Sequence, residues 1–325
     1  MKKIVSLALA FLMVSSLVFA SGAEEQKPVS SYPNKTIQMI VPYGAGGGAD
    51  ISVRLLTKYL EQELGQKFIV QNVSGGSGTI GFTQLANAKA DGYTLGYFSS
   101  TQTNDALLFE GIKYDNTSFT PISLFSNDPH IVVVSKASGI TNMKQLIEAA
   151  KKNPAGMTFG LGGAWTSHDF LRMSLEEKAG VTFKRMVFQS GAAAITAVAG
   201  GNCTVAVPFV SEALAQIEAG NVVPIAISSA TRFELTPSIP TIKESGYDFE
   251  HTMWRALVGP AGLSADVVAT IDVAMAKVLS NPQYLAEALN AGTFAEYMNN
   301  ADFSKYYEEN HKFYQKLIMD SNLSK

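Results

Sequence analysis

The sequence is poor in cysteine, in charge and in histidine clusters. Cys203 is the single cysteine of 325 residues, so no intramolecular disulfide can form. Charged residues make up 16% of the chain, the formal net charge is −3, and no long basic run or basic stripe with aromatic residues occurs, which excludes a typical nucleic-acid-binding surface. The four histidines are far apart, and no Cys/His group has metal-ligand spacing, so we predict neither a metal site nor a cofactor.

Enzyme signatures are also absent. The segment 75–79 reads Gly-Gly-Ser-Gly-Thr and lacks the last glycine of a nucleophile elbow, and no Gly-Lys-Ser/Thr of a Walker A loop occurs. Cys203 lies within a predicted strand, where we expect a buried, inert thiol. Asp50 could act as a base, but its place in the first turn of a predicted helix favours a structural carboxylate. We therefore predict no catalytic residue.

The N-terminus predicts export. Residues 1–20 combine Lys2 and Lys3, an apolar run from 4 to 17, and a small-x-small end at 18–20, which is the pattern of a cleaved signal peptide. A membrane anchor is the alternative, but the run is shorter than the roughly 20 apolar residues that span a bilayer. Residues 21–30 predict a flexible leader. An exported chain without disulfides suits a bacterial periplasm.

The remaining chain alternates strand and helix patterns. Such alternation predicts an α/β fold with right-handed crossovers and two mostly parallel sheets, each with helices on both faces. Predicted strands lie at 37–41, 68–70, 93–98, 131–134, 157–159, 186–188, 203–207 and 222–227. Predicted helices lie at 49–64, 79–89, 142–152, 167–178, 192–199, 212–218, 264–279, 283–290 and 303–319.

Two glycine-rich turns, at 42–50 and 72–81, each follow a predicted strand and open a predicted helix. Glycine lets the backbone approach a ligand closely, and the free N–H groups of a helix start attract anions. A dinucleotide site needs an acidic residue after the second strand, where this chain has Gln71 and Asn72, so the pattern favours a clamp for a small carboxylate. Tight turns without a ligand are the alternative. The predicted contacts from this half are Tyr43, Gly44, Ala45, Gly46, Gly47, Ser74, Gly76, Ser77, Thr79, Ser100 and Thr101.

Strand-to-helix loops in the second half could meet the ligand from the opposite side. The predicted contacts there are Gly162, Ala164, Trp165, Thr166, Ser167, Gln189, Ser190 and Phe209. Helix capping is the alternative for the hydroxyl side chains, and core packing is the alternative for Trp165 and Phe209. His168, at a helix start, is interpreted as a surface residue. Four arginines, Arg54, Arg172, Arg232 and Arg255, are candidates to pair with a carboxylate, and the sequence does not choose among them.

A set of motifs in fixed order resembles one known family. In this chain the motifs are Tyr32-Pro33, Pro42 to Asp50, Asn72 to Gly81, Asp91 to Leu95, Arg232 with Pro240-Thr241, Glu244 and Gly246, and Trp254 with Leu257 and Pro260. Together they resemble the extracytoplasmic receptors of tripartite tricarboxylate transporters, also called the Bug family, over about residues 31–320. Two departures fall in the second half: Phe188-Gln189-Ser190 replaces the usual Tyr-x-Gly, and the segment 201–204 lacks the family's aspartate.

The resemblance implies a two-lobed periplasmic binding protein of the type II-like class, with a ligand cleft between lobes that close like a Venus flytrap. The first lobe would be 31–125 plus 250–325, and the second 126–249. The implied partners are a small carboxylate and the membrane subunits of a tripartite tricarboxylate transporter; no nucleic acid is implied, and we expect a monomer. The alternatives are an exported α/β enzyme acting on a small anion and a sensor that presents its ligand to a membrane kinase.

Overall fold

The structure is a computed structural model that describes residues 32–320. The predicted signal peptide, 1–20, and the predicted leader, 21–30, lie outside the described residues. None of the helices in the described range is long and apolar enough to cross a bilayer.

The described chain alternates strands and helices over most of its length. The strands are β1 (Ile37–Val41), β2 (Phe68–Asn72), β3 (Thr94–Ser99), β4 (Phe119–Pro129), β5 (Ile131–Ser135), β6 (Thr158–Leu161), β7 (Lys184–Val187), β8 (Val205–Ala206), β9 (Val222–Ile227), β10 (Thr252–Pro260) and β11 (Ala295–Met298). The helices are α1 (Gly48–Leu64), α2 (Thr79–Ala86), α3 (Asp105–Leu108), α4 (Met143–Lys152), α5 (Ser167–Ala179), α6 (Gly191–Ala199), α7 (Val210–Glu218), α8 (Ala265–Leu279), α9 (Pro282–Asn290) and α10 (Asn300–Asp320).

Six strands form the first sheet, in the order β11-β4-β10-β3-β1-β2. Side chains alternate along each strand, so one sheet supplies two cores. In β1, Met39 packs with α1 and α8 on one face, and Ile40 packs with Phe82 of α2 on the other. We call this sheet with its helices the first lobe.

Five strands form the second sheet, in the order β7-β6-β8-β5-β9. The same alternation places Val132 and Val134 of β5 in one core and Ile131 and Val133 in the other. Cys203 is buried in the second of these cores, as expected, and burial raises the pKa of its thiol. It lies two residues before β8, so its predicted place within a strand is wrong. We call this sheet with its helices the second lobe.

The two-sheet α/β architecture is confirmed, but the prediction of mostly parallel sheets is wrong. Five of the nine strand pairings in residues 32–320 are antiparallel. In the second sheet, β5 runs antiparallel to both of its neighbours, β8 and β9. β10 then returns between β3 and β4 and runs antiparallel to both. Each sheet is therefore mixed.

The chain passes between the sheets twice, at His130 and near His251, and the two passages are hydrogen-bonded together. The N–H of Ser228 donates to the carbonyl of His130 at 2.9 Å, and the N–H of His251 donates to the carbonyl of Ser228 at 2.9 Å. The Ser228 hydroxyl accepts from the N–H of His130 at 2.8 Å. Helix α10 also reaches from one sheet to the other lobe, where the rings of Tyr314 and Phe170 lie 4.6 Å apart. These contacts set how the two lobes face each other.

Candidate functional site

A cavity of about 620 Å³ lies between the two lobes. Its size is typical of a site for a small molecule. Both lobes contribute to its wall. The lining residues are Tyr43, Gly47, Gly48, Ala49, Ser77, Tyr97, Ser99, Thr101, Gln102, Asp105, Phe109, Gly162, Ala164, Trp165, Thr166, Ser167, His168, Gln189, Phe209, Met253 and Arg255.

The loop 43–48 of the first lobe is held by Asp50, a buried carboxylate in the first turn of α1. Asp50 accepts a hydrogen bond from the N–H of Gly46 at 2.8 Å, from Arg54 Nε at 3.0 Å and from Asn72 Nδ2 at 2.9 Å. Asn72 Nδ2 also donates to the carbonyl of Tyr43 at 3.0 Å. Burial raises the pKa of Asp50, but these donors outweigh burial and lower it. The interpretation of Asp50 as a structural carboxylate fits this arrangement.

The second lobe repeats the same arrangement at Asp169, in the first turn of α5. Asp169 accepts from the N–H of Trp165 at 3.1 Å and from Arg172 at 2.9 and 3.0 Å, and it also pairs with Arg185. Arg185 in turn lies over the Trp165 ring, 5.5 Å from its centroid. In both lobes, therefore, an aspartate fixes the backbone four residues before it, in the loop that faces the cavity.

Three helices that begin at the cavity have no side-chain cap at their N-termini. Within residues 32–320, the N-cap residues Gly47 of α1, Gly78 of α2 and Thr166 of α5 make no side-chain capping hydrogen bond. Side chains do cap other helices: Ser190 caps α6 beside the cavity, and Asn142 and Ser264 cap α4 and α8. The first N–H groups of an uncapped helix need acceptors, and the helix dipole favours a negative one. These N-termini suit an anion bound between the lobes.

Two residues on opposite walls of the cavity hold a left-handed backbone conformation. Ser77 has φ of 57° and Trp165 has φ of 60°. Residues other than glycine adopt this region at a cost, and such strain concentrates at functional sites. In each loop the strained residue lies just before an uncapped helix start beside the cavity.

Two loops of the second lobe approach each other closely at Gly162. A Cβ atom on Gly162 would lie 2.5 Å from the backbone nitrogen of Gly191, so only glycine fits. Ser190 accepts from the N–H of Ala193 at 3.1 Å and thereby caps α6. This contact brings Gln189 to the cavity wall beside Gly162.

The floor of the cavity on the first lobe is polar. Gln102 Nε2 donates to Thr101 Oγ1 at 2.6 Å, and Ser99 is hydrogen-bonded to the Gln102 amide. Tyr43 and Tyr97 lie beside them with rings 6.0 Å apart. Burial raises the pKa of both phenols, which keeps them neutral and able to donate.

Of the four candidate arginines, Arg255 is the one that lines the cavity. Its Nη2 lies 2.7 Å from Asp128 Oδ2, and its Nη1 donates to Thr293 Oγ1 at 3.1 Å. Burial lowers the pKa of Arg255, but its neighbours, led by the charge of Asp128, together outweigh burial, so the net shift is upward and the guanidinium is cationic. The other three candidates pair with carboxylates: Arg54 with Asp50, Arg172 with Asp169 and Glu176, and Arg232 with Glu244.

Asp105 is a second charged group on the wall, and sequence reasoning missed it. Its side chain is buried, with 4% of the residue exposed, and it accepts from the Tyr114 hydroxyl at 2.6 Å. Burial raises the pKa of Asp105 to about 7, although the bond from Tyr114 lowers it. No motif marks this residue, because it follows a short turn of 3-10 helix that the sequence pattern does not reveal.

His168 is buried, with 5% exposed, so its interpretation as a surface residue is wrong. It belongs to a group of three buried histidines where the chain passes between lobes. The rings of His168 and His251 lie 5.0 and 5.3 Å from the ring of His130. His130 Nε2 contacts Ser167 Oγ at 3.0 Å, which connects this group to the cavity wall. Within residues 32–320, no group of three His, Cys, Asp or Glu side chains could hold a metal ion.

The cavity brings together most of the residues predicted from sequence. Those that line it are Tyr43, Gly47, Ser77, Thr101, Gly162, Ala164, Trp165, Thr166, Ser167, Gln189 and Phe209. Trp165 and Phe209 therefore lie in its wall. Predicted residues outside the lining are Gly44, Ala45, Gly46, Ser74, Gly76, Thr79, Ser100 and Ser190. Gly46 and Ser190 are instead occupied with Asp50 and with the cap of α6, and Ser100 is fully buried.

The lining also includes Arg255, one of the four candidate arginines, and residues that the sequence did not predict: Gly48, Ala49, Tyr97, Ser99, Gln102, Asp105, Phe109, His168 and Met253. Several of them adjoin predicted contacts in sequence, as Ser99 adjoins Ser100 and Gln102 adjoins Thr101. Met253 and Arg255 come from β10, whose return between β3 and β4 is a property of the fold. A local pattern could have found the residues that adjoin predicted contacts, but not the two residues of β10.

Comparisons with known proteins agree with this geometry. The sequence model of the family described as "Tripartite tricarboxylate transporter family receptor" matches residues 52–323. Protein BugT of Bordetella pertussis is 29% identical over 262 residues, which cover 78% of this chain and 80% of BugT. A TctC solute binding protein from Polaromonas superposes with a TM-score of 0.81 at 26% identity, covering 89% of this chain and 100% of that chain.

A further structure, R. palustris Rpa4515 with adipate, shares the fold with a TM-score of 0.74 at 24% identity, covering 90% of this chain and 99% of that one. The two-lobed binding-protein fold predicted from sequence is confirmed, as is the resemblance that implied it. The family model extends over both lobes and over every loop of the cavity beyond residue 51. The chain belongs to the tripartite tricarboxylate transporter receptor family, a family of solute-binding receptors.

Proposed function

We propose that this chain is a periplasmic solute-binding protein. It captures a small carboxylate between its lobes and delivers it to membrane subunits of a tripartite tricarboxylate-type transporter. One observation carries this proposal: a single cavity collects uncapped helix N-termini from both lobes. The signal-peptide pattern of residues 1–20 supports the periplasmic location.

A carboxylate that leaves water needs several hydrogen-bond donors in exchange. Gly48 and Ser77 line the cavity from the first lobe, and Thr166 and Ser167 line it from the second, where we expect their backbone N–H groups to be the donors. The N–H groups of Gly46 and Trp165 are already engaged by Asp50 and Asp169. Main-chain donors carry no net charge, so they hold an anion without the strength of an unpaired buried arginine. Binding of this kind is reversible, which delivery to a transporter requires.

We also propose that the lobes close on the ligand, with boundaries at 31–125 plus 250–325 and at 126–249. The two passages of the chain, joined through Ser228, form a narrow connection suited to a hinge. A ligand that contacts both walls favours the closed state because only that state makes all its contacts. One chain supplies both walls, so a monomer is sufficient for binding.

We propose that the ligand leaves unchanged, so that the chain is a receptor and not an enzyme. Reversible, stoichiometric binding without product supports this role. Turnover of any carboxylate by the purified protein, followed by mass spectrometry, would contradict it.

The proposal is tested at Ser77, which lines the cavity in a left-handed conformation. Ser77→Asp places a negative charge in the site, whereas Ser77→Asn has nearly the same shape without the charge. Aspartate and asparagine both tolerate this backbone region better than most residues, so neither variant adds much strain. Calorimetry with malate, adipate, citrate and amino acids identifies the ligands of the wild-type protein.

For any carboxylate that binds, Ser77→Asp should weaken affinity by about 100-fold or more, equivalent to about 2.8 kcal/mol. Ser77→Asn should weaken it by about fivefold at most, the effect of losing one neutral hydrogen bond. Equal affinity of a folded Ser77→Asp variant and the wild type would place the carboxylate elsewhere.

A further inference from the structure

The charges around the cavity are unevenly balanced. Two charged side chains line it, Asp105 and Arg255. Asp128, 2.7 Å from Arg255, offsets the positive charge. Asp105 has no such partner among the contacts of its carboxylate, which accepts from the neutral hydroxyl of Tyr114. When Asp105 is ionised, the lining within residues 32–320 therefore carries a negative charge that no neighbouring cation offsets.

This charge lies on the same side of the cavity as the loop 43–48. Tyr43 belongs to that loop, and the charge of Asp105 contributes, after burial and Tyr97, to raising the pKa of Tyr43. Asp105 is thus close to the loop whose backbone is proposed to hold the carboxylate. A ligand seated there can contact both the backbone of this loop and the carboxylate of Asp105.

The cavity also offers apolar surface. Trp165, Phe209 and Ala164 provide it from the second lobe, beside the polar Thr166, Ser167, His168 and Gln189, and Met253 and Phe109 provide it from the first. Arg172 and Arg185, the nearby cations of the second lobe, are both engaged by Asp169. A second carboxylate of a ligand would find no uncommitted cation on the lining residues, and it would be repelled by Asp105.

We propose that the ligand is an amino acid with an uncharged, apolar or aromatic side chain, and that Asp105 binds its ammonium group inside the cavity. The proposal rests on the proposed function, because it assumes that the backbone N–H groups of the same cavity hold the carboxylate. It assigns the ammonium to Asp105 and the side chain to the wall of Trp165 and Phe209. A charged pair of this kind satisfies a buried carboxylate that a neutral hydroxyl satisfies only in part.

The test compares acids with and without the amine. The probes are L-alanine, L-valine, L-leucine, L-methionine, L-phenylalanine, L-tyrosine and L-tryptophan, the corresponding acids that lack the amine, and malate, adipate and citrate. Affinities are measured by calorimetry on the full mature chain. We expect at least one amino acid to bind about tenfold or more tightly than its counterpart without the amine, and more tightly than any of the three polycarboxylates.

Two variants separate charge from structure. Asp105→Asn keeps the size of the side chain and an acceptor for Tyr114, but it removes the charge. We expect it to weaken amino-acid binding by about tenfold or more while changing the affinity of the acid without the amine by less than about threefold. Tyr114→Phe removes the hydroxyl and keeps the carboxylate, so it should retain the preference for the amine. An equal loss of preference in both variants would overturn the assignment to the charge of Asp105.

The wild-type comparison stands even where a variant fails to fold. Suppose that acids without the amine, or polycarboxylates, bind more tightly than the amino acids, and that Ser77→Asp abolishes this binding. That result would overturn this inference and leave the proposed function in place. If a polycarboxylate binds and none of the amino acids does, this inference is likewise overturned and the proposed function stands. If no carboxylate in the set binds, the inference and the proposed function fail together.

Discussion

At the scale of single residues, two aspartates organise the site. Asp50 and Asp169 occupy the same place in their helices and accept from the backbone N–H four residues earlier, at 2.8 and 3.1 Å. Sequence reasoning predicted a structural role for Asp50 from its position near a helix start. It did not identify Asp169, because the bond to Trp165 depends on the strained loop conformation rather than on local pattern.

The residues that sequence reasoning found and missed differ in a physical way. Glycine-rich turns between a strand and a helix are visible locally, so Gly47, Ser77 and Gly162 could be predicted. Asp105 and Arg255 reach the cavity through tertiary packing alone. The choice of Arg255 among four arginines depends on which strand lies beside β3, and no local pattern encodes that neighbour.

The buried histidines make the stability of the fold depend on pH. Burial lowers the pKa of His251 to about 3 and holds the pKa of His130 well below its usual value, with His168 adding to both shifts. An unfolded histidine titrates near pH 6.5, so as pH falls the unfolded chain takes up protons first. The free energy of unfolding should therefore decrease below about pH 6.5, by up to roughly 1.4 kcal/mol per pH unit for each histidine.

Urea unfolding at several pH values measures this dependence. His251→Asn removes one of the groups, and its contact with Tyr314 at 3.1 Å can be kept by the amide. The variant should lose less stability than the wild type between about pH 6 and pH 4, and the two curves should run parallel above about pH 7.5. Identical slopes in the acid range would show that His251 is not held neutral by the fold.

At the scale of elements, the long strand β4 shows why part of the fold could not be predicted. Its eleven residues include polar side chains without clear alternation. They are satisfied by distant partners: Ser123 Oγ donates to Asp272 at 2.5 Å, and Asp128 pairs with Arg255. Tertiary contacts thus override a weak strand pattern. The short edge strand β11, which pairs with β4, was missed for the same reason.

Gly162 supports a prediction at this scale because it lets the loops before α5 and α6 meet. In Gly162→Ala the new methyl group would lie 2.5 Å from the Gly191 nitrogen and 2.9 Å from the Ser190 carbonyl carbon, so backbone must move. We expect a loss of about 1–3 kcal/mol in the free energy of unfolding, measured by denaturant titration, and weaker ligand binding.

Gly44→Ala is the matched control in the corresponding loop of the first lobe. No heavy atom lies within 4 Å of the added Cβ, and Gly44 is outside the cavity lining. Its stability should stay within about 0.5 kcal/mol of wild type, the usual effect of a surface substitution. Equal stabilities of the two variants would mean that the loops of the second lobe are not tightly packed at Gly162.

At the scale of the whole molecule, function depends on two lobes that present the same kind of group to one cavity. The sequence predicted two α/β units and the loops at their edges from alternation and glycine placement. It did not predict the mixed sheets, because the returning strand β10 and the direct passage from β4 to β5 arise from the path of the chain between lobes. That path also brings the three buried histidines together.

The central claim is that main-chain N–H groups of both lobes bind one carboxylate, and amide resonances report on it directly. In a nitrogen-15 NMR titration with the tightest-binding carboxylate, the amides of Gly48, Ser77, Thr166 and Ser167 should shift along one saturable curve. The amides that begin the capped helix α4 should stay in place. Saturation with shifts in one lobe only, or none at these four positions, would contradict the account.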